Sequence, residues 1–373
     1  MILPGMPKEK TSLRELAGLF TKLGLTAFGG PAAHIAMMQR EVVDKRGWMD
    51  HQHFLDLIGA TNLIPGPNST EMAIHIGHER GGWKGLLVAG CCFIIPAVLL
   101  TGVIAWLYQR YGRLPQVRPF IYGIKPAIIA IILAAVFPLV KKSLKTVELG
   151  VIGALALTGA LVGWNEIVIL FGAGLVMLAL YLMRRRTVLP LLLLEVPFFS
   201  EANVRIFLVF LKIGAILYGS GYVLLAFLDS ELVKKGLLSR SVLVDAIAVG
   251  QFTPGPVFSS VTFIGWQMNG LPGAVMATVA VFLPSFLFVA VLNPLVPRMR
   301  GSKLFQAFLD GVNVASVAII LRVCIAFARE TVTDWRTTLI AVLSLVVTFG
   351  FRKVNTVFVV LGSGIAGYVL LLI

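Results

Sequence analysis

Three stretches of the chain, Gly85–Gln109, Leu271–Pro297 and Val354–Ile373, contain no charged residue. A bilayer core about 30 Å thick takes about 20 helical residues, so each is long enough to cross one. Within lipid every backbone polar group has to be satisfied inside the segment, so these runs read as transmembrane helices. Val147–Met183 carries only Glu148 and Glu166 and is long enough for two short spans around Gly163-Trp164-Asn165-Glu166. Nowhere in these 373 residues is a hydrophilic block large enough for a soluble domain.

Composition agrees. The chain is 58% hydrophobic and 13% charged, against about 25% charged residues in a soluble domain. A net charge of +14 and a pI near 10 raise the question of nucleic acid. The basic residues, however, fall in short clusters between apolar runs, which is the pattern of membrane flanks, and nucleic acid is not an expected partner. Cys91, Cys92 and Cys324 have no metal-type spacing and read as packing residues. The first residues lack the cleavage pattern of a secretory signal.

The chain contains itself twice. Phe20-Thr-Lys22-Leu-Gly24 matches Phe210-Leu-Lys212-Ile-Gly214, and Glu41 matches Glu231, both 190 residues on. Pro65-Gly66-Pro67 matches Pro254-Gly255-Pro256 at 189, and Gly82, Pro96 and Gly123 match Gly270, Pro284 and Gly311 at 188. The offset drifts one way only, as two single-residue gaps would make it. The units are therefore an N-terminal repeat over residues 1–183, a linker at 184–203 and a C-terminal repeat over 204–373. Duplicated halves in a polytopic membrane protein point to a transporter.

The apolar pattern predicts a long helix over 13–38, half-helices at 51–64 and 68–80, and spans at 84–109, 119–140, 146–162 and 165–183. The second half repeats this at 206–228, 241–253 with 257–268, 272–296, 304–328, 337–351 and 354–373. If each Pro-Gly-Pro is the tip of a re-entrant hairpin, each half crosses five times and the second is inverted. The fold class expected is an all-α integral membrane protein: two homologous halves in inverted topology, about ten transmembrane helices and two broken hairpins. Six crossings per half fit the apolar runs nearly as well. With both termini outside, Arg40, Lys45, Arg46, Lys141, Lys142, Lys145 and Arg184–Arg186 share the inner face, as the positive-inside bias requires.

Pro-Gly-Pro breaks a helix, because proline removes an N–H and clashes with the preceding turn. At membrane depth such a break is tolerated where it lines a cavity or is buried in protein. The helix that restarts after it presents free N–H groups and a positive dipole end, a ready anion site. The candidate substrate-binding set is therefore Asn62, Pro65, Gly66, Pro67, Asn68, Ser69 and Thr70 at the first break. At the second it is Gln251, Thr253, Pro254, Gly255 and Pro256. Gly29 and Gly30 in Phe28-Gly-Gly-Pro31, and Gly219, Ser220 and Gly221 in the partner, join it as unwound segments. Lys22 and Lys212, equivalent lysines within apolar helices, join it as charge for a dianion; snorkelling to the interface is the alternative. Lys125 and Arg322 lack basic equivalents in the other half.

Glu71, His75 and His34 are candidates for proton coupling, with Glu71 and His75 at i,i+4 and histidine titrating in the right range. No metal site is expected, since His75-x-x-His78 lacks a third ligand. No Gly-x-x-x-x-Gly-Lys-Ser/Thr is present, so no ATPase, and no other enzyme activity or cofactor, is expected.

The strings Phe28-Gly-Gly-Pro31, Asn62-Leu-Ile-Pro-Gly-Pro-Asn-Ser-Thr-Glu-Met72 and Gly250-Gln-Phe-Thr-Pro-Gly-Pro-Val257 resemble the chromate ion transporter family, in its long two-domain form, over essentially the whole chain. The resemblance implies export of chromate, or of the sulfate-like oxyanions it imitates, across the inner cell membrane. The second half's Tyr218-Gly-Ser-Gly221 departs from Phe-Gly-Gly-Pro, so the halves are not expected to play identical roles. The expected function is a secondary transporter working by alternating access between the repeats. It would be driven by protons or a counter-anion, and a homodimer is admissible. An anion channel, or a carrier for another small anion, stays open beside it.

Overall fold

The structure, a computed structural model, describes residues 11–28, 30–112, 114, 116–183, 202–218, 222–292, 302–351 and 354–372. Gly29, Gly219, Ser220, Gly221 and nearly all of the 184–203 linker lie outside the described residues.

Among the described residues the chain is helical, and its helices run in two matching series. The first is α1 (Leu13–Thr26), α2 (Pro31–Gln39), α3 (His51–Thr61), α4 (Asn68–Tyr111), α5 (Arg118–Ser143), α6 (Val147–Val162) and α7 (Glu166–Met183). The second is α8 (Ala202–Ile216), α9 (Val223–Leu228), α10 (Arg240–Phe252), α11 (Ser260–Leu292), α12 (Lys303–Thr331), α13 (Trp335–Gly350) and α14 (Thr356–Leu372). Short π-helical turns follow α2 and α9, at Arg40–Lys45 and Asp229–Val233. Among the described residues five segments are long and apolar enough to cross a membrane: α4, α5, α7, α11 with the turn before it, and α12.

The repeat extends to caps and kinks. Asp50 caps α3 and Ser239 caps α10, each accepting from the backbone three residues on, at 2.7 and 3.3 Å. Thr146 caps α6, and Asp334 caps α13 in a capping box with Thr337. Such side-chain acceptors satisfy N–H groups that a helix start leaves open. Gly82 in α4 has φ 61 and ψ −149, and Gly270 in α11 has φ 56 and ψ −149. A side chain would be strained there, and each long helix turns at that glycine. Beyond the kink the two arms press together: a β-carbon on Gly77 would lie against the Gly85 carbonyl, and one on Gly265 against that of Gly273.

The predicted helix over 13–38 is divided. It stops at Thr26 and restarts at Pro31, with Gly30 at φ 82. The predicted helix over 206–228 likewise becomes α8 and α9. Both interruptions fall at the glycine clusters of the sequence, and glycine has a weak intrinsic preference for helix.

The sequence halves interlock. Helices α6 and α7 of the first pack on α12 of the second, and α13 and α14 of the second pack on α5 of the first. Small residues permit the closest approaches: a β-carbon on Gly123 would strike Ser363 and Gly367, and one on Gly311 would strike Ala173 and Gly174. In lipid, where apolar burial gives helices little reason to associate, such contacts carry the packing. Helices α1 and α8 pack on α4 and α11 of their own halves, and α4 packs on α11 across the middle.

Candidate functional site: the paired helix breaks

Between α3 and α4 the backbone is non-helical from Leu63 to Pro67, and between α10 and the turn Val257–Ser259 it is open at Thr253–Pro256. Gly66 has φ 142 and Gly255 has φ 90, conformations that glycine adopts without penalty. Both breaks are buried, and they meet the other half in the same way. The Gly66 N–H donates to the Leu217 carbonyl at 2.8 Å, and the Gly255 N–H donates to the Ala27 carbonyl at 2.8 Å. Leu217 and Ala27 are the first residues past the ends of α8 and α1. Each break thus closes on an interrupted helix end of the opposite half, in the buried interior.

The sequence-predicted residues divide among three places. At the first break, Asn68 Nδ2 donates to Asn62 Oδ1 across the gap at 2.9 Å, with Asn62 exposed. Ser69, Thr70 and Glu71 are buried in the first turn of α4, and His34 Nδ1 lies 3.3 Å from Ser69 Oγ. Pro67 offers no side-chain cap, so the first N–H groups of α4 face the break. His75 stands one turn beyond Glu71, also buried. Glu71 is 0% exposed, among the described residues no cation pairs with it, and the polar side chain beside its carboxyl is Ser285.

At the second break, Thr253 Oγ1 donates back to Val249, while Ser260 Oγ and Gln251 Nε2 are buried without partners among the described residues. Buried donors of this kind are rare and call for an explanation. Gln251 Oε1 accepts from the Tyr222 hydroxyl at 3.5 Å. That hydroxyl also faces Gly30, 3.4 Å from where a β-carbon would stand. Ser259 accepts from Thr101 of α4 at 3.2 Å.

Lys22 and Lys212 are not brought to the breaks. Lys22 reaches Glu41 at 3.3 Å and Lys212 reaches Glu231 at 2.7 Å, with side chains 59% and 46% exposed. Lys45 and Arg46 share Glu41, and Lys235 shares Glu231. The Lys45 hydrogen bond first, then those of Arg46 and Lys22, hold the Glu41 carboxyl down at about 2 against the opposing effect of burial. Burial works against ionisation of Glu231 as well, yet Lys212 and Lys235 keep it below its ordinary value. These clusters are matched ion pairs, one in each half, and they occupy both lysines.

Lys125 and Arg322 are also committed. Lys125 Nζ donates to Ser241 at 2.5 Å and lies 3.3 Å from Asp245, which takes a 2.6 Å bond from Tyr108. Arg322 bonds Asp229 at 2.6 Å, and Arg240 bonds the same carboxylate at 3.0 Å. Alongside, Lys234 and Ser230 hold Glu166 of the first half.

Two cavities open at the end of the bundle where α5 finishes. One, of about 230 Å³, is lined among others by Asn62, Lys142, Lys145, Asp310 and Asn313. The other, of about 690 Å³, runs from Lys141 and Asn355 to Phe28 and Tyr222. Among the described residues no group of histidine, cysteine and acidic side chains is arranged to hold a metal ion. Ser285 is a site neighbour that motif reading did not single out. Ser285 faces Gly66, and its only sequence signal is its place one residue after Pro284 in the repeat.

A bundle of duplicated apolar helices, with paired breaks buried in its interior, defines a polytopic membrane transporter built from two repeats. The chromate transporter family profile matches residues 14–178 and again 204–368, and the chain belongs to that family. A chromate transport protein of Cupriavidus metallidurans is 30% identical, over 96% of this chain and 93% of its own length. A probable chromate transport protein of Synechococcus elongatus is 28% identical, over 96% and 95%. An uncharacterized transporter of Methanocaldococcus jannaschii is 26% identical, over 94% and 93%. No solved structure matches the chain.

Proposed function

We infer that this protein is a secondary transporter that exports chromate, and tetrahedral oxyanions of its kind such as sulfate, across the inner cell membrane. The observation that carries the reading is the reciprocal pair of bonds from Gly66 to Leu217 and from Gly255 to Ala27. Each break is tied to the unwound helix end of the opposite half, so neither half can rotate against the other without remaking the centre. That is the connection alternating access needs between a central site and two moving repeats. Two helix N-termini at the break supply N–H donors and partial positive charge for an anion. Asn62, Asn68, Ser69 and Thr70 line the first break, and Gln251 and Thr253 the second, with further polar groups. Repeats over 1–183 and 204–373, ten crossings and an inverted second half complete the reading. The cavities by Lys141, Lys142 and Lys145 would then open to the cytoplasm.

Glu71, with His75 and His34 beside it, is the group through which protons would couple to the anion. The test is uptake of labelled chromate and sulfate into inverted vesicles holding the purified protein, with and without a pH gradient. Saturable uptake of chromate that sulfate inhibits supports an oxyanion carrier, and dependence on the gradient supports proton coupling. No uptake of either anion by folded protein would sink the reading.

A further inference from the structure

The two breaks share a backbone but differ in what fills them. The fourth residue after Pro67 is Glu71; the equivalent residue after Pro256 is Ser260. The α11 residue facing Gly66 is Ser285, and its counterpart on α4, facing Gly255, is Ala97. A β-carbon on Gly66 would collide with Oε1 of Glu71 and with Oγ of Ser285. The Glu71 carboxyl is therefore folded back over the first break. A β-carbon on Gly255 would instead meet the Ala97 methyl at 2.8 Å and the Gly24 carbonyl at 3.1 Å.

A helix N-terminus attracts negative charge, and at the first break the protein's own carboxyl already lies there. An oxyanion entering that cradle would find its place filled by the carboxyl, and would stand beside a like charge in a medium of low dielectric whenever that carboxyl is ionised. Among the described residues no acid is folded over the second break, where Ala97 and Gly24 lie against Gly255. This break holds Ser260 Oγ at 0% exposure and Gln251 Nε2 on a side chain 6% exposed, both donors without partners among the described residues. Tyr222 fixes the other end of the Gln251 amide. Tyr222 also lines the larger cavity, whose wall includes Lys141, so a cation stands on the approach to these donors.

We propose that the oxyanion sits at the second break, on Gln251, Ser260 and the helix start behind Pro256, and that Glu71 closes the first break to it. This rests on the oxyanion-carrier reading and assigns the two halves different tasks: the C-terminal half binds the anion, and the N-terminal half carries the acid.

The experiment is equilibrium binding of labelled chromate and sulfate to the purified full chain in detergent, with gel filtration and thermal melting to establish folding. Wild type binds one anion per chain. Gln251→Ala with Ser260→Ala, which adds no bulk, weakens binding at least about tenfold, as loss of two hydrogen bonds to a charged ligand requires. Ser260→Glu, which copies the first break into the second, abolishes it. Glu71→Ser, which copies the second into the first, raises the stoichiometry towards two. Binding of wild-type strength in the folded Gln251/Ser260 double variant overturns the assignment, as does loss of binding in Glu71→Ser. A wild-type protein that binds neither anion overturns the oxyanion reading beneath it instead.

Discussion

Gly66 and Leu217 lie in different halves of the chain, and the amide of one is hydrogen-bonded to the carbonyl of the other at 2.8 Å, while Gly255 and Ala27 repeat the bond in mirror order. Two sequence-distant turns thus hold each other open. Each carbonyl belongs to a helix that has just ended and needs a donor, and each amide belongs to a break that has no helical acceptor. The interruptions complete one another between the two halves of the chain.

Substitution of either glycine tests this clasp. At φ 142 and φ 90 any other residue is strained by about 1–3 kcal/mol, and a β-carbon meets Glu71 and Ser285 at Gly66 but Ala97 and Gly24 at Gly255. Gly66→Ala and Gly255→Ala are each expected to lower the melting temperature and to stop uptake. Gly150→Ala, at a helical glycine whose β-carbon would meet nothing, leaves both unchanged. Detergent melting curves with vesicle uptake decide it.

The lysine clusters give a pH prediction. The Glu41 carboxyl, held at about 2 by Lys45, Arg46 and Lys22, ionises more readily folded than unfolded. A depressed carboxylate contributes stability that is complete above its unfolded value, about 4.5, and is lost as pH falls through its folded one. Melting temperature should therefore decline between about pH 4.5 and pH 2, with a shallower decline in Glu41→Gln. Lys22→Gln and Lys212→Gln remove partly exposed pairs, worth about 0–1 kcal/mol each, and chromate binding should survive the double substitution. Its loss, in protein that still melts near the wild-type temperature, would return the two lysines to the site.

Much of the architecture was legible. The duplicated strings, the breaks at Pro65–Pro67 and Pro254–Pro256 and the kink glycines Gly82 and Gly270 all left marks in composition, because proline and glycine change backbone geometry wherever they stand. What the residues touch was not legible. Lys22 in an apolar helix reads as a buried charge until Glu41, 19 residues on, is folded beside it; a π turn sets that carboxylate's direction, and no periodicity reports it. Ser285 could not be tied to Gly66, since that contact depends on how α4 and α11 cross. Nor does sequence alone show that α7 leaves its own half to pack on α12, where Glu166 reaches Lys234 and Ser230.

That exchange makes a prediction for Arg322. Asp229 is 0% exposed and held by Arg322 and Arg240, beside the Glu166 pair that ties the halves together. Removing one partner of a buried pair leaves an uncompensated charge and costs about 3–5 kcal/mol, whereas replacing both partners is often near neutral. Arg322→Met should destabilise strongly, Asp229→Asn strongly, and the two together by much less than their sum. An additive double-mutant cycle in chemical denaturation would show that Arg240 alone balances Asp229.

The last prediction concerns Glu71 itself. An ionised carboxyl at 0% exposure with no cation beside it costs of the order of several kcal/mol, so each passage between charged and neutral forms changes the stability of the centre. The titratable groups near it are His75, one turn further along α4, His34, which contacts Ser69, and the phenol of Tyr218 just past α8; Ser285 faces it from α11. If the carboxyl takes up and releases a proton once per cycle, the proton and the rearrangement of the breaks are linked. Glu71→Gln fixes the neutral form at nearly the same volume. Chromate uptake by this variant should ignore an imposed pH gradient while exchange of labelled for unlabelled chromate continues. Glu71→Asp, which keeps an acid, should restore gradient dependence at reduced rate. Gradient-driven uptake at the wild-type rate in Glu71→Gln would remove Glu71 from the proton path and leave the two histidines to carry it.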